Sequence, residues 1–415
     1  MELGWIDFSK SEREKILSIL DLLTERGVLD ELGISPIRDG YSDLFFPGTS
    51  TIQTRAKYFF IVPYALKDLE VNKEKDYSKL KRILDNTEEK CARRLLDINP
   101  QEMGIIGRRS IRSKKWVQNT PANIYWSGLR RYQIFNARIS IDQYIKRIAF
   151  QKQSRSNIIK LGNSTDGEDE HDDKNAGIAQ KIHFLNIPSY NPKWIDKFDM
   201  NLTPEEGQFL KSQIISSCEN SMLAYILKEN MYEVLDCNSF ADLESMIDKF
   251  SENIQKDYFR AKSFSEFIFV LRVIYNLIVS ENENTKANDT FKELEPNLLK
   301  FSDVNIEEIF SSLKIYNPPL KNFLIKSREL MAKGDVEGLK DIIKSREIML
   351  KGENRSRTVH PGEFDTNMWF AGYRLEYRFR NAKNIIRDIF VSENPKFADI
   401  YVVGEEIENN RMGGL

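Results

Sequence analysis

Four carboxylates early in the chain, Asp30, Glu31, Asp39 and Asp43, are followed by Gln53, Arg55 and Lys57. Acids that can hold Mg²⁺, with a lysine to polarise the attacking water, are the parts of a metal-dependent nuclease. On that reading Asp39, Asp43 and Lys57 are the candidate catalytic residues. The pattern departs where it matters, because Arg55 stands two residues before Lys57, where an acid is wanted. The competing reading is architectural: Arg38, Asp39, Asp43 and Arg55 pair to fix the loop around the Pro47-Gly48 turn. Gly48-Thr49-Ser50-Thr51 offers hydroxyls and N–H groups to a phosphate but lacks the GxxxxGK[ST] spacing of an NTPase loop. His171, His183 and His360 stand in no HxxH or HxxxH pair, and no Ser-His-Asp or Cys-His arrangement can be built from them. No metal and no cofactor is expected.

A second constellation suits binding better than chemistry. Residues 105–160 hold thirteen Lys and Arg against the single acid Asp142, a local charge of +12 in a protein at −2. A positive field of that size attracts phosphate and steers polyanions whatever the net charge. The candidate nucleic-acid contacts are Arg108, Arg109, Arg112, Lys114, Lys115, Arg130, Arg131, Arg138, Lys146 and Arg147. Trp116, Tyr125, Trp126, Tyr132, Phe135, Tyr144 and Phe150 are interleaved with them, free to stack on bases if exposed. The plainer reading is a solvated helical face over a core of aromatics. The Trp126 and Leu129 spacing favours core for those two. A third cluster, Arg374, Arg378, Arg380, Lys383 and Arg387 with Arg355, Arg357 and His360, reads equally as a second anion surface or as a helix-packing face.

The elements that must position these residues read mainly helical. A strand over Trp5–Phe8, a helix from Ser9 or Ser11 to about Glu25 and a strand over Thr51–Pro63 make a small N-terminal α/β element. Tyr77 to Ile98 has helical spacing, closed by Pro100. Thr120-Pro121 and Ser140 start two short helices within the basic stretch, a winged-helix-like arrangement. NSTDGEDEHDDKNAG, residues 163–177, has no apolar periodicity and reads as a disordered acidic loop. Thr203-Pro204-Glu205-Glu206 is a capping box that opens a helical domain. Within that domain, residues 263–280 are apolar almost all round, as in a buried helix. IKSRE occurs at 325–329 and again at 343–347, each followed by Lys-Gly and an acid, which suggests a helical hairpin. The expected organisation is an α/β element over 1–70, a basic helical domain over 71–160, the acidic loop over 161–182, a helical domain over 183–398 and a flexible tail over 399–415. Three widely spaced cysteines, no apolar leader in MELGWIDFSK and no long apolar run point to a cytoplasmic protein without a membrane segment.

Leu3-Gly4-Trp5-Ile6-Asp7-Phe8-Ser9, Leu29 to Leu32, Arg38-Asp39, Ser42-Asp43 and Phe46-Pro47-Gly48-Thr49-Ser50 form one series of landmarks. Arg55, Tyr58, Phe59, Ile124-Tyr125-Trp126, Leu202 to Glu206 and Leu375 to Arg378 continue it. Over most of its length, with the acidic loop as an insertion, the chain resembles an uncharacterised bacterial domain-of-unknown-function family. Genes of this kind resemble those of anti-phage defence islands, beside helicase and phospholipase-D-like nuclease genes. The resemblance implies an accessory subunit in antiviral defence and supplies no activity. The expectation is therefore a non-catalytic nucleic-acid-binding protein, DNA before RNA. Residues 105–160 would grip phosphate while the helical domain docks a helicase or nuclease. The alternatives are the nuclease built on Asp39, Asp43 and Lys57, or a structural protein whose basic stretch docks on a neighbouring subunit. Oligomeric state stays open.

Overall fold

The computed structural model describes residues 32–113, 116–162, 184–188, 191–196, 198–361 and 374–400. The expected strand at Trp5–Phe8, the helix after it, the acidic run over 163–177 and the tail beyond residue 400 lie outside them, while 161–162 and 399–400, expected as loop and tail, are helical. The chain divides into two compact units. The larger takes residues 39–258 and 372–410, the smaller residues 1–38, 259–371 and 411–415. Both are helical among the described residues, and none of those helices is long and apolar enough to cross a membrane.

The larger unit begins with α1 (Ser35–Phe45), whose residues from Asp39 onward belong to it. It is built around α2 (Tyr58–Val71), buried continuously from Tyr58 to Leu66. α3 (Tyr77–Ile98) and α5 (Pro121–Arg131) pack on α2, and α6 (Ile141–Gly162) packs on α3 and α5. The five-residue α4 (Arg108–Arg112) lies against α3. α7 (Pro204–Ser217) pairs with α8 (Met222–Glu229) and with α15 (Arg374–Glu393), which ends the described unit together with the short α16 (Phe397–Ile400).

α2 corrects the strand expected over Thr51–Pro63. A short apolar run cannot by itself be told from a buried helix, and here the run continues through Ala65 and Leu66 into a 14-residue helix. The first seven residues of the expected strand are instead the approach to that helix. Phe46-Pro47-Gly48-Thr49 is a tight turn, closed by the Thr49 N–H donating to the Phe46 carbonyl at 3.3 Å. Gly48 has φ +79°, and a Cβ there would meet the Tyr132 ring at 2.6 Å, so the position requires glycine. No strand occurs among the described residues. The isolated antiparallel bridge Phe135–Leu185 is the β pairing they contain. Neither the α/β element nor the wing of a winged helix is therefore formed there, and the basic stretch is built into the helical core on α2 and α3.

Local signals set the helix starts. At α7 the expected capping box is complete: the Glu206 N–H donates to Thr203 Oγ1 at 3.2 Å, and the Thr203 N–H to Glu206 Oε2 at 2.8 Å. At α6 the Gln143 N–H donates to Ser140 Oγ at 3.1 Å, and the Ser140 N–H to Gln143 Oε1 at 2.8 Å. α5 starts at Thr120-Pro121 as expected, but its N-terminal N–H is taken by a residue from another helix. The Ala122 N–H donates at 2.6 Å to Glu88, a carboxyl on α3 that is 1% exposed. Burial pushes Glu88 up to about 8, against the opposing effect of the Ala122 and Thr120 donors.

In the smaller unit, α9 (Glu252–Val279) enters at Phe259 and buries Phe267, Val270, Leu271, Ile274 and Tyr275, as its all-round apolar sequence requires. The helices α10 (Thr285–Leu294), α11 (Leu298–Phe301) and α12 (Ile306–Ser312) follow. The two IKSRE copies then fall on consecutive packed helices, α13 (Pro318–Ala332) and α14 (Val336–Lys351), joined at Gly334 with φ +67°. The copies diverge in what they hold. Glu329 is exposed. Its counterpart Glu347 is buried and accepts from Tyr275 at 2.7 Å, Lys351 at 2.8 Å, Ser356 at 2.9 Å and the Thr358 N–H at 2.9 Å. Burial pushes this carboxyl up, but those donors outweigh it and hold it below the usual carboxylate range.

Candidate nucleic-acid interface

The three candidate catalytic residues are engaged elsewhere or apart. Lys57 ends the approach to α2, is buried, and donates from Nζ to Glu206 Oε2 at 2.7 Å and to the Asn201 carbonyl at 3.1 Å. Asp43, near the end of α1, accepts at 2.5 Å from Arg378 on α15. Asp39 lies one helical turn earlier, half-buried. Among the described residues no three His, Cys, Asp or Glu side chains stand together as a metal-holding group. Asp30 and Glu31 lie outside the described residues.

What this block builds instead is a buried ion-pair knot. The Arg55 side chain is 1% exposed and its Nε donates to both Asp388 oxygens, at 2.9 and 3.1 Å. Its Nη1 donates to Glu102 and, at 3.2 Å, to the Met103 carbonyl. Burial works against the guanidinium charge, yet Asp388 and Glu102 more than offset it and hold the proton firmly. Asp388 also takes the Ala56 N–H at 2.9 Å, and Tyr125 Oη takes the Thr54 and Arg55 N–H groups at 2.9 and 3.0 Å. Arg378 continues the knot. It reaches Thr49 Oγ1 at 3.2 Å and the Phe46 carbonyl at 3.1 Å, which ties α15 to the Pro47-Gly48 turn. Asp43 and Arg55 thus serve the framework, but not through the expected pairing around the turn: Asp43 pairs with Arg378, and Arg55 with Asp388 and Glu102.

The basic stretch is sorted by its surroundings. Arg108 is half-buried and donates to the Pro100 carbonyl at 2.9 Å and the Glu102 carbonyl at 3.1 Å, so it stitches the segment after α3. Lys152 is likewise spent, donating to the Leu69 and Asn72 carbonyls at the end of α2. Asp142, the lone acid, accepts from Lys81 at 2.9 Å and Tyr77 at 2.8 Å. Arg109 on α4, Arg130 and Arg131 on the last turn of α5, and Arg138 in the following loop are exposed and make no ion pair with a described residue. Lys146 and Arg147 are exposed on α6, over the rings of Tyr77 at 5.3 Å and Phe184 at 5.5 Å. Lys114, Lys115 and the side chain of Arg112 lie outside the described residues.

The interleaved aromatics are core. Tyr125, Tyr132, Phe135 and Tyr144 are buried against one another and against α2, and Trp126 packs on Phe135 while its indole N–H donates to the Ile139 carbonyl at 3.0 Å. The exceptions are Trp116, which is half-buried, and Phe150, which is exposed at 69% on the same α6 face as Lys146 and Arg147. Its spacing from those cations, three and four residues, was the signal available for it. In the third cluster Arg378 is buried in the knot, Lys383 donates to the Cys237 carbonyl, and Arg387 pairs with Asp388 at 3.2 Å. Those three serve helix packing. Arg355, Arg357 and His360 belong to the smaller unit.

Fold and surface together define a helical protein whose buried cations lock its framework and whose basic segment leaves several cations to solvent. The chain belongs to a family of unknown function, DUF6361, which it matches over residues 1–293. No curated protein and no solved structure matches it.

Proposed function

We propose that this protein is a nucleic-acid-binding accessory protein that grips the phosphate backbone through its basic segment. The observation that carries the reading is the exposure of Arg109, Arg130, Arg131, Arg138, Lys146 and Arg147 within one segment without described ion-pair partners, where Arg378, Lys383 and Arg387 of the C-terminal cluster are spent on packing. Cations left to solvent in one segment exceed what solubility requires and supply the sequence-independent part of nucleic-acid affinity. With Tyr125, Trp126, Tyr132, Phe135 and Tyr144 in the core and Phe150 the one exposed ring of the set, most contacts on offer are to phosphate rather than to stacked bases, which favours a duplex over a single strand. A role beside a helicase or nuclease in anti-phage defence rests on the gene-neighbourhood resemblance alone. The nuclease alternative would require Asp43 to leave Arg378 and Lys57 to leave Glu206, and no contact favours it.

The test is retardation of a duplex and of a matched single strand by purified protein at low salt. Binding of the duplex that weakens steeply with added salt is expected. No retardation of either strand form overturns the proposal.

A further inference from the structure

Among the aromatics interleaved with the cations of residues 105–160, Tyr125, Trp126, Tyr132, Phe135 and Tyr144 are buried and Trp116 is half-buried. Phe150 is the one left to solvent, at 69% exposed. It does not stand at the edge of the core. Tyr144, Ile145, Ile148 and Ala149 turn one side of α6 inward, and at 3.6 residues per turn Phe150 falls on the opposite side. A phenyl ring placed there contributes little to packing and forgoes the free energy of burial.

Lys146 and Arg147 bracket that ring. They stand four and three residues before it, about 40° and 60° to either side of it around the helix axis. Both are exposed, Lys146 over the Tyr77 ring at 5.3 Å and Arg147 over the Phe184 ring at 5.5 Å, and neither pairs with a described carboxylate. The ring contacts steady the two heads and leave their charge unneutralised. α6 has no acid beyond Asp142, which accepts from Lys81 and Tyr77 on α3. An apolar plate between two available cations is complementary to a nucleotide, a flat base carried on a phosphate backbone. It is a poor match for a lipid surface, which an amphipathic helix enters with several apolar residues along one face.

We infer that Phe150 stacks on a base standing out of the duplex stack, with Lys146 and Arg147 on the phosphates that flank it. This rests on the nucleic-acid reading above and adds a substrate class to it. One ring takes one base, so the preferred form is a duplex interrupted by a single unpaired nucleotide. A perfect duplex offers the ring no base face until a step is unstacked. A continuous single strand offers many bases to one ring, at about half the charge per length.

Fluorescence anisotropy of the full chain with a labelled DNA duplex, perfect or carrying one bulged adenine, tests it. Wild type is expected to hold the bulged duplex about tenfold more tightly. Phe150→Ala should bring the bulged duplex down to the affinity of the perfect one, which itself moves by no more than about twofold because the phosphate contacts remain. Phe150→Trp should keep the preference. The side chain is exposed, so both variants should keep the wild-type unfolding midpoint. Equal wild-type affinity for the two duplexes, or a preference that survives Phe150→Ala, overturns the inference and leaves the phosphate grip standing. Failure to bind either duplex at low salt removes the grip itself, and the inference with it. Pelleting with phosphatidylserine vesicles that is lost in Phe150→Ala, with no preference for the bulge, assigns the face to a membrane and overturns the inference as well.

Discussion

Arg378 and Arg131 carry the same guanidinium within the same unit, and their surroundings give them opposite work. Arg378 is buried, with Asp43, Thr49 and the Phe46 carbonyl as partners. Arg131 is exposed on the last turn of α5, paired with no described residue. The same contrast separates Arg55 and Lys57 from Arg109 and Arg147. A buried cation must find its counter-charge inside the protein, so it ends up defining which segments meet. An exposed one loses nothing by waiting for an external anion. Residue type alone does not separate a framework from an interface, whereas burial and partner do.

The sharpest way to break this contrast is at the knot. Arg55→Leu strips Glu102 of its Arg55 partner and leaves the buried Asp388 with Arg387 alone, and a stability loss of roughly 3–5 kcal/mol is expected in urea unfolding. A loss under about 1 kcal/mol would show that the pair does not hold the framework. Gly48→Ala should follow. Its Cβ would meet the Tyr132 ring at a backbone of φ +79°, and a cost of about 2 kcal/mol is expected by the same measurement.

Glu88 gives a pH-dependent prediction. Its folded pKa, about 8, lies above that of an unfolded carboxyl, so the folded state keeps a proton that the unfolded state has released. Stability from this group is therefore full below the unfolded pKa and is lost as pH rises toward 8, after which it levels off. Glu88→Gln, neutral throughout, should unfold at a midpoint that falls less across that window. By pH 8 it should be the more stable protein by about 1–3 kcal/mol. A difference in stability between wild type and Glu88→Gln that stays constant over the same range would contradict the assignment. The smallest stability effect is expected at the surface, where Arg130→Glu with Arg131→Glu should move the unfolding free energy by no more than about 0.5 kcal/mol per site.

Much of the local structure was legible because it depends on neighbours in sequence. Thr203-Pro204, Thr120-Pro121 and Ser140 marked helix starts, Pro47-Gly48 marked the turn, and the IKSRE echo marked the α13–α14 hairpin. The run at 51–63 was misread because Phe59-Phe60-Ile61-Val62 suits a buried helix and a strand equally, and only its continuation past Pro63 decides. The knot was legible only in outline. Arg55 looked like a flaw in a metal site, while its counter-charge Asp388 stands 333 residues away, beyond any local rule. In the basic segment the charge and the core role of Trp126 were readable. That Arg108 folds back onto carbonyls while Phe150 faces solvent was not, because both depend on the path of the chain after α3 and the roll of α6.

The most direct test of the contrast is equilibrium binding of a DNA duplex across a salt series, with unfolding midpoints measured on the same samples. Wild type should give a log–log slope of about −4 to −5. With Arg109, Arg130, Arg131, Lys146 and Arg147 all reversed to Glu, binding should be lost at low salt while the midpoint stays put. Single reversals should each flatten the slope by about one. Undetectable wild-type binding at low salt, or affinity indifferent to the five reversals, would contradict the account.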